Sequence, residues 1–207
     1  VISGRHALVA LALTFFVLMG AHTRTALLAT AVGLVFAGAS LFLGHARVRR
    51  TSALGAVAAV LMATVFASEI MNWALRGQTP QEAGQLTGRT KVWSAVFATP
   101  RTRMEEIFGN GLSDQSFNGL PIDSNWVAIY WDLGWFGLIL QVTVLLVLLM
   151  MAATHVAGPQ RACALFIVVY AIVASFTETT LVTPSPYILD LIVAASLLAP
   201  EARGGRE

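Results

Sequence analysis

The chain has 207 residues, of which 57% are hydrophobic and 12% charged, with a mean hydropathy of +0.73. Soluble domains carry roughly 25% charged residues, so this composition excludes an ordinary water-soluble fold and predicts an all-α, polytopic transmembrane helical bundle. The formal net charge of +2, with basic residues dispersed, argues against a nucleic-acid partner. The lone Cys163, inside an apolar run, leaves no intrachain disulfide to form.

The chain opens on Val rather than Met and reads as the C-terminal portion of a longer architecture, a single membrane domain over residues 1–207 with further spans upstream. About six spans follow in order. The first, near Ala7 to Ala21, is short for a bilayer that needs about 20 residues. A signal peptide in its place would have to be cut near Met19-Gly20-Ala21, which is a poor cleavage site. His22-Thr23-Arg24-Thr25 separates it from the second span, Ala26 to Gly44, and the third runs from Ser52 to Met71. The fourth covers Trp126 to about Ala152, the fifth Ala162 to about Phe176, and the sixth Tyr187 to Ala199.

Orientation follows from the excess of basic residues on the cytoplasmic side. Placing Arg47, Arg49 and Arg50 inside also puts Arg5, Arg161, Arg203 and Arg206 there by alternation. The short outer loops then hold only Arg24, and residues 72–125 become one large extracytoplasmic loop. Trp73 and Trp126 bracket that loop, at the level where amphipathic rings settle. No internal repeat is evident, which weakens an inverted-repeat transporter.

The loop is too long for a plain turn and holds five basic and five acidic residues. Within it, Thr87 to Thr99 predicts a short amphipathic helix ended by Pro100. Val92, Trp93, Val96 and Phe97 share one face at helical spacing, and Thr87 is placed to cap it. Gly109-Asn110-Gly111 reads as a turn.

Chemistry is expected where charges collect at the outer face. Arg24 opens the second span, Arg89 and Lys91 open the amphipathic helix, and Asp123 precedes the fourth span. Arginine presents a planar fork that pairs with phosphate oxygens and keeps its charge at any working pH. Two arginines from separate elements would clamp a lipid diphosphate, and a carboxylate would take the proton of an incoming hydroxyl. Lys91, Arg101 and Arg103 would guide an anionic headgroup, and Glu178, at the end of the fifth span, would line the same cavity.

Each has a plainer account. Arg24 would snorkel to the interface, Arg89 and Lys91 would be solvated loop charges, and Asp123 would cap the fourth span. Asp132 and Asp190 fall within spans, where ionisable groups usually face a bundle interior. Asp132 stands close enough to Trp126 to keep contact with water. His6, His22, His45 and His155 are scattered and make no metal constellation, and no Walker loop, GxSxG elbow or dinucleotide fingerprint occurs.

Several stretches together resemble the bacterial O-antigen ligase and polymerase family. Thr23-Arg24-Thr25-Ala26-Leu27-Leu28-Ala29 is similar to that family's Ser-Arg-Thr-Ala-Leu-Leu. Thr87-Gly88-Arg89-Thr90-Lys91-Val92-Trp93 resembles its Ser-Gly-Arg-x-x-x-Trp, and Phe108-Gly109-Asn110-Gly111 the Leu-Gly-x-Gly that follows. Asp123-Ser124-Asn125 with Asp132-Leu133-Gly134-Trp135-Phe136-Gly137 looks like its His-Asn or Asp-Asn pair and the subsequent Glu-Leu-Gly-x-x-Gly. Phe176-Thr177-Glu178 is similar to its short acidic motif at the next outer turn.

The likeness covers roughly residues 10 to 195, in order. It implies a glycosyltransferase of the bacterial inner membrane, working without metal, cofactor or nucleotide sugar. The donor would be an undecaprenyl-diphosphate-linked glycan and the acceptor a second glycan or lipid. The arginines matching Arg24 and Arg89 would engage the diphosphate, and Asp123 would act as base. Ligases of lipopolysaccharide carry histidine where this chain has Asp123, whereas polymerase-like members more often carry an acid, which leaves the acceptor open. The rival expectations are half of a transporter or flippase, and a non-catalytic membrane subunit of a polysaccharide assembly complex.

Overall fold

The computed structural model describes residues 4–20, 23–42, 89–111, 116–179, 181–182 and 184–199. The third predicted span, Ser52 to Met71, and the candidate cap Thr87 lie outside them. Seven helices and one short hairpin are present among the described residues: α1 (Gly4–Gly20), α2 (Arg24–Phe42), α3 (Arg89–Ala98), α4 (Arg103–Phe108), β1 (Ser116–Phe117), β2 (Leu120–Pro121), α5 (Asn125–Thr154), α6 (Pro159–Ala174) and α7 (Pro186–Leu198). The helical class expected from composition holds. Two helices are long and apolar enough to cross a membrane, Arg24–Leu41 and Asn125–Thr154, with α6 and α7 shorter apolar helices.

α6 is the helix the others gather around. Its buried residues include Ala162, Ala164, Ala171 and Ala174 beside Leu165, Val168 and Val169, and small side chains let helix backbones approach closely. On α2, Gly33 packs against Phe166 so tightly that a Cβ there would lie 2.9 Å from the ring. Buried Leu145 and Ala152 of α5 and Leu191, Ala194 and Leu198 of α7 complete the same core. Pro159 opens α6 and Pro186 opens α7, each at a position where its missing N–H would have had no helical partner.

Outside that core the bundle is apolar. Val9, Leu13, Phe16 and Val17 of α1 are exposed, as are Leu28, Val35 and Phe36 of α2 and many residues of α5. Scattered apolar residues on a surface need no account, but contiguous faces of this extent require a cover.

The fourth expected span, Trp126 to about Ala152, falls within α5, and α5 is interrupted. Gly134 sits inside α5 at φ 64°, ψ −160°, joining two helical pieces across a kink. Positive φ of this kind is open to glycine and costly for other residues. Asp132, expected near water, is instead 0% exposed. Asp190, expected to face the bundle interior, lies exposed on α7. Both corrections have one source: helical spacing gives a residue's neighbours along its own helix, whereas exposure depends on which other elements pack there.

Candidate functional site

The site end is assembled from the first turn of α5 outward. Asn125 is fully buried, and its backbone N–H donates to the carbonyls of Ser175 (3.0 Å) and Glu178 (3.1 Å). Its Oδ1 accepts from the Leu181 N–H at 2.9 Å. One asparagine thus ties the start of α5 to the turn between α6 and α7. That turn is joined in its own right to α2, because the Thr177 hydroxyl donates to the Thr25 hydroxyl at 2.7 Å. Arg24, half-buried, is the residue beside Thr25.

Two residues before Asn125, Asp123 reaches the other way. Arg89 Nε donates to Asp123 Oδ2 at 3.2 Å, with the side chains 27% and 43% exposed. Arg89 is the first residue of α3, whose inner face inserts buried Val96, with Val92 and Trp93 partly buried, against Ile122, Val127 and Ala128. The predicted helix is therefore present, ending at Ala98 before Pro100, and of the four residues on its apolar face Phe97 is the exposed one. A path of contacts and chain connectivity runs from Arg89 to Asp123, two residues along to Asn125, and through the Glu178 turn to Thr25. The starts of α2, α3 and α5 share one end of the molecule.

The remaining expected residues divide. Lys91 is exposed on α3 and Arg103 is exposed at the start of α4. Arg101 is employed by the fold. Its guanidinium donates from Nη1 to the Tyr130 carbonyl (3.1 Å) and from Nη2 to the Trp131 carbonyl (3.1 Å) and the Glu105 carbonyl, and it lies over the Tyr130 and Trp131 rings. These bonds follow from the kink. A helix interrupted at Gly134 loses the N–H groups that would have bonded the carbonyls before it, and buried carbonyls require partners. Arg101 takes those of Tyr130 and Trp131. The Asn110 N–H also reaches Trp131 (3.1 Å), and the Gly111 N–H reaches Asp132 (2.9 Å).

Glycines make that approach possible. A Cβ on Gly134 would lie 2.5 Å from the Ile107 carbonyl oxygen, and one on Gly109, at φ 79°, would collide with the Asp132 carbonyl. The expected turn at Gly109-Asn110-Gly111 is present and serves as the counterpart of the kink.

α4 and the hairpin had signals in the sequence that were passed over. Thr102 accepts from the Glu105 N–H while the Glu105 carboxylate accepts from the Thr102 N–H, the reciprocal cap that Thr-x-x-Glu announces. Those bonds hold the Glu105 carboxyl below its ordinary value, with a smaller contribution from the Arg101 charge. Asn118 and Gly119 both take positive φ between β1 and β2, the conformation favoured by an Asn-Gly hairpin turn. Asn125 was noted only as part of a motif, and its locking role had no separate signal.

An apolar groove of about 490 Å³ lies between α5 and α7, lined by Val144, Val147, Leu148, Leu191 and Ile192 and reaching Leu181. Among the described residues no cluster of three or more His, Cys, Asp or Glu is placed to hold a metal ion. Comparison with family models, curated proteins and solved structures gives no significant match.

Proposed function

We propose that this chain is an integral membrane transferase of lipid-linked glycans, of the O-antigen ligase and polymerase kind, with the Arg89–Asp123 end facing out of a bacterial inner membrane. The observation that carries the reading is the Arg89–Asp123 pair, tied through Asn125 and the Glu178 turn to the start of α2. Residues drawn from four separately weak motifs, Arg89, Asp123 with Asn125, the Glu178 turn and Thr25, are thereby linked.

The chemistry suits those groups. Attack by an acceptor hydroxyl on the anomeric carbon breaks the bond to the diphosphate, which departs on its lipid carrier. Negative charge builds on the leaving oxygen, and fixed guanidinium groups stabilise it. Arg89 meets Asp123 through Nε, which leaves its terminal nitrogens for paired bonds to phosphate oxygens. Arg24 would supply the second cation. Asp123 would receive the hydroxyl proton, with inversion at the anomeric carbon, while Lys91, Arg103 and Glu178 would line the approach. The groove between α5 and α7 would take part of the carrier chain. Arg101, with its guanidinium on the Tyr130 and Trp131 carbonyls, is given a structural role in this reading.

The test is turnover of an undecaprenyl-diphosphate-linked oligosaccharide by the purified full chain in nanodiscs. Arg89→Ala should lower transfer by about 100-fold or more, the scale for losing an electrostatic stabiliser, with membrane abundance unchanged. Transfer at the normal rate by that variant sinks the reading.

One observation favours a second reading. A broken helix beside a buried acid is a feature of ion-coupled transporters. Two others oppose it: the carbonyls of Tyr130, Trp131 and Asp132 are already bonded, and about 20 residues of helix, about 30 Å, continue beyond Gly134. The break would then lie near the membrane surface rather than its midplane. Solute flux in proteoliposomes that stops on Asp132→Asn would reverse this judgement.

A further inference from the structure

α4 turns an apolar face outward. Met104, Ile107 and Phe108 recur at the i, i+3, i+4 spacing that places side chains on one helix face, and they are 66%, 38% and 54% exposed. The face continues past the end of the helix. The Phe108 ring lies 6.0 Å from Phe136. Phe97 lies 5.3 Å from Tyr130, which meets Trp135 edge-on at 5.5 Å. Phe97, Trp135 and Phe136 are exposed themselves. A single aromatic surface therefore runs from α3 and α4 onto the helix that starts after Gly134.

The surface is held out, not merely left out. The reciprocal cap fixes the start of α4, Arg101 binds its chain to the carbonyls of α5, and the Gly109–Gly134 approach fixes its end. These contacts keep the apolar residues from turning inward.

We infer that this surface is a seat in the lipid bilayer interface. Met104, Ile107 and Phe108 dip below the headgroups, with Phe97, Trp135 and Phe136 forming the rim. Lipid is the occupant for three reasons. The surface is continuous with the exposed apolar flank of α5, where Ile139, Leu140 and Val147 follow. Its junction is built of aromatic rings, which settle at membrane interfaces. Arg103, Glu105 and Glu106 fall off the Met104–Ile107–Phe108 face at helical spacing, so the charges of α4 stay on its water side. The inference rests on the membrane reading of α5 proposed above and on no transferase activity. Its consequence is positional: residues 99–102 connect α4 directly to α3, so the seat sets the height of Arg89 above the headgroup plane.

The test uses the full chain in nanodiscs of phosphatidylcholine and phosphatidylglycerol, in a Cys163→Ser background. Nitroxide labels are placed by Met104→Cys, by Val147→Cys as the deep reference and by Asn110→Cys as the water reference; all three positions are exposed. Collision with oxygen and with a nickel chelate gives depth. The Met104 label should lie about 5–10 Å below the headgroup boundary, with Val147 deeper and Asn110 in water. A Met104 label as open to nickel as Asn110, while Val147 stays protected, overturns the seat alone. Shielding of Met104 from both reagents also overturns it, because protein then covers the face. A Val147 label open to nickel removes the membrane reading and the seat together.

Discussion

The two pieces of α5 are continuous in sequence and differ in nearly every physical respect. Before Gly134, Asn125, Val127, Ala128, Ile129 and Asp132 are buried, and backbone groups of this piece are bonded to Arg101, the Gly109–Gly111 turn and the α6–α7 turn. After Gly134, Trp135, Phe136, Ile139, Leu140, Val144, Leu146, Val147 and Met150 are exposed. The first piece is fully buried or half-buried along its length; the second is widely exposed on its apolar face. The comparison teaches that a hydropathy run reports apolar content but not what supplies the apolar surroundings. It also locates the candidate chemistry, since Asp123 immediately precedes the packed piece, Asn125 opens it, and the exposed apolar piece carries no charge.

Four perturbations probe that difference, and the largest effect is expected at the kink. Gly134→Ala places a Cβ against the Glu106 and Ile107 carbonyls at positive φ. The conformation alone costs about 1–3 kcal/mol, and overpacking adds about 1–3 kcal/mol. Faster amide exchange at Asn110 and Gly111, with the distal α5 amides unchanged, would sharpen the contrast. Unchanged exchange at both would break it.

Arg101→Ala should come next. It leaves the Tyr130 and Trp131 carbonyls short of donors, at about 1–3 kcal/mol, read as a lower denaturation midpoint for the packed piece. Arg101→Lys should recover little, because one ammonium does not reproduce the fork. Full recovery by lysine would show that charge, rather than bonding to the broken helix, is what matters.

Asn125→Ala removes the acceptor for the Leu181 N–H and should cost about 1 kcal/mol or somewhat more. Its readout is exchange at Leu181. The smallest effect is acidification. Glu105 has a lowered folded pKa, so its contribution is complete above the ordinary carboxylate value and is lost as pH falls through the folded one. Protease nicking near α4 should therefore rise only at strongly acid pH, and Glu105→Gln should flatten that dependence. The Arg89–Asp123 pair stands apart. With both side chains partly exposed, its loss should change stability by no more than about 1 kcal/mol, so a large loss of transfer in Asp123→Ala could not be ascribed to unfolding.

Much of the candidate site was legible because its signals are local. Arg89 at the start of an amphipathic helix, Pro100 beyond its end and the glycine pair around Asn110 are consequences of backbone preference within a few residues. The cap at Thr102 and the Asn118-Gly119 turn were equally local. The role of Arg101 was not legible: the sequence suggested a guide for an anionic headgroup, and only the interrupted helix gives it carbonyls to bind. Asn125 is similar, since its partners Ser175, Glu178 and Leu181 are distant in the chain.

Sequence by itself determined the helical class, the bounds of α2, α6 and α7 to within a few residues, and the apolar character of their surfaces, because periodicity and transfer energy act residue by residue along a chain. Tertiary structure alone decided that Gly134 divides α5, that Asp132 is sealed while Asp190 is exposed, and that Arg89 meets Asp123 at one end with the start of α2. Each of those depends on which carbonyl or carboxylate finds which donor across the fold, a matter of three-dimensional distance to which local pattern is blind.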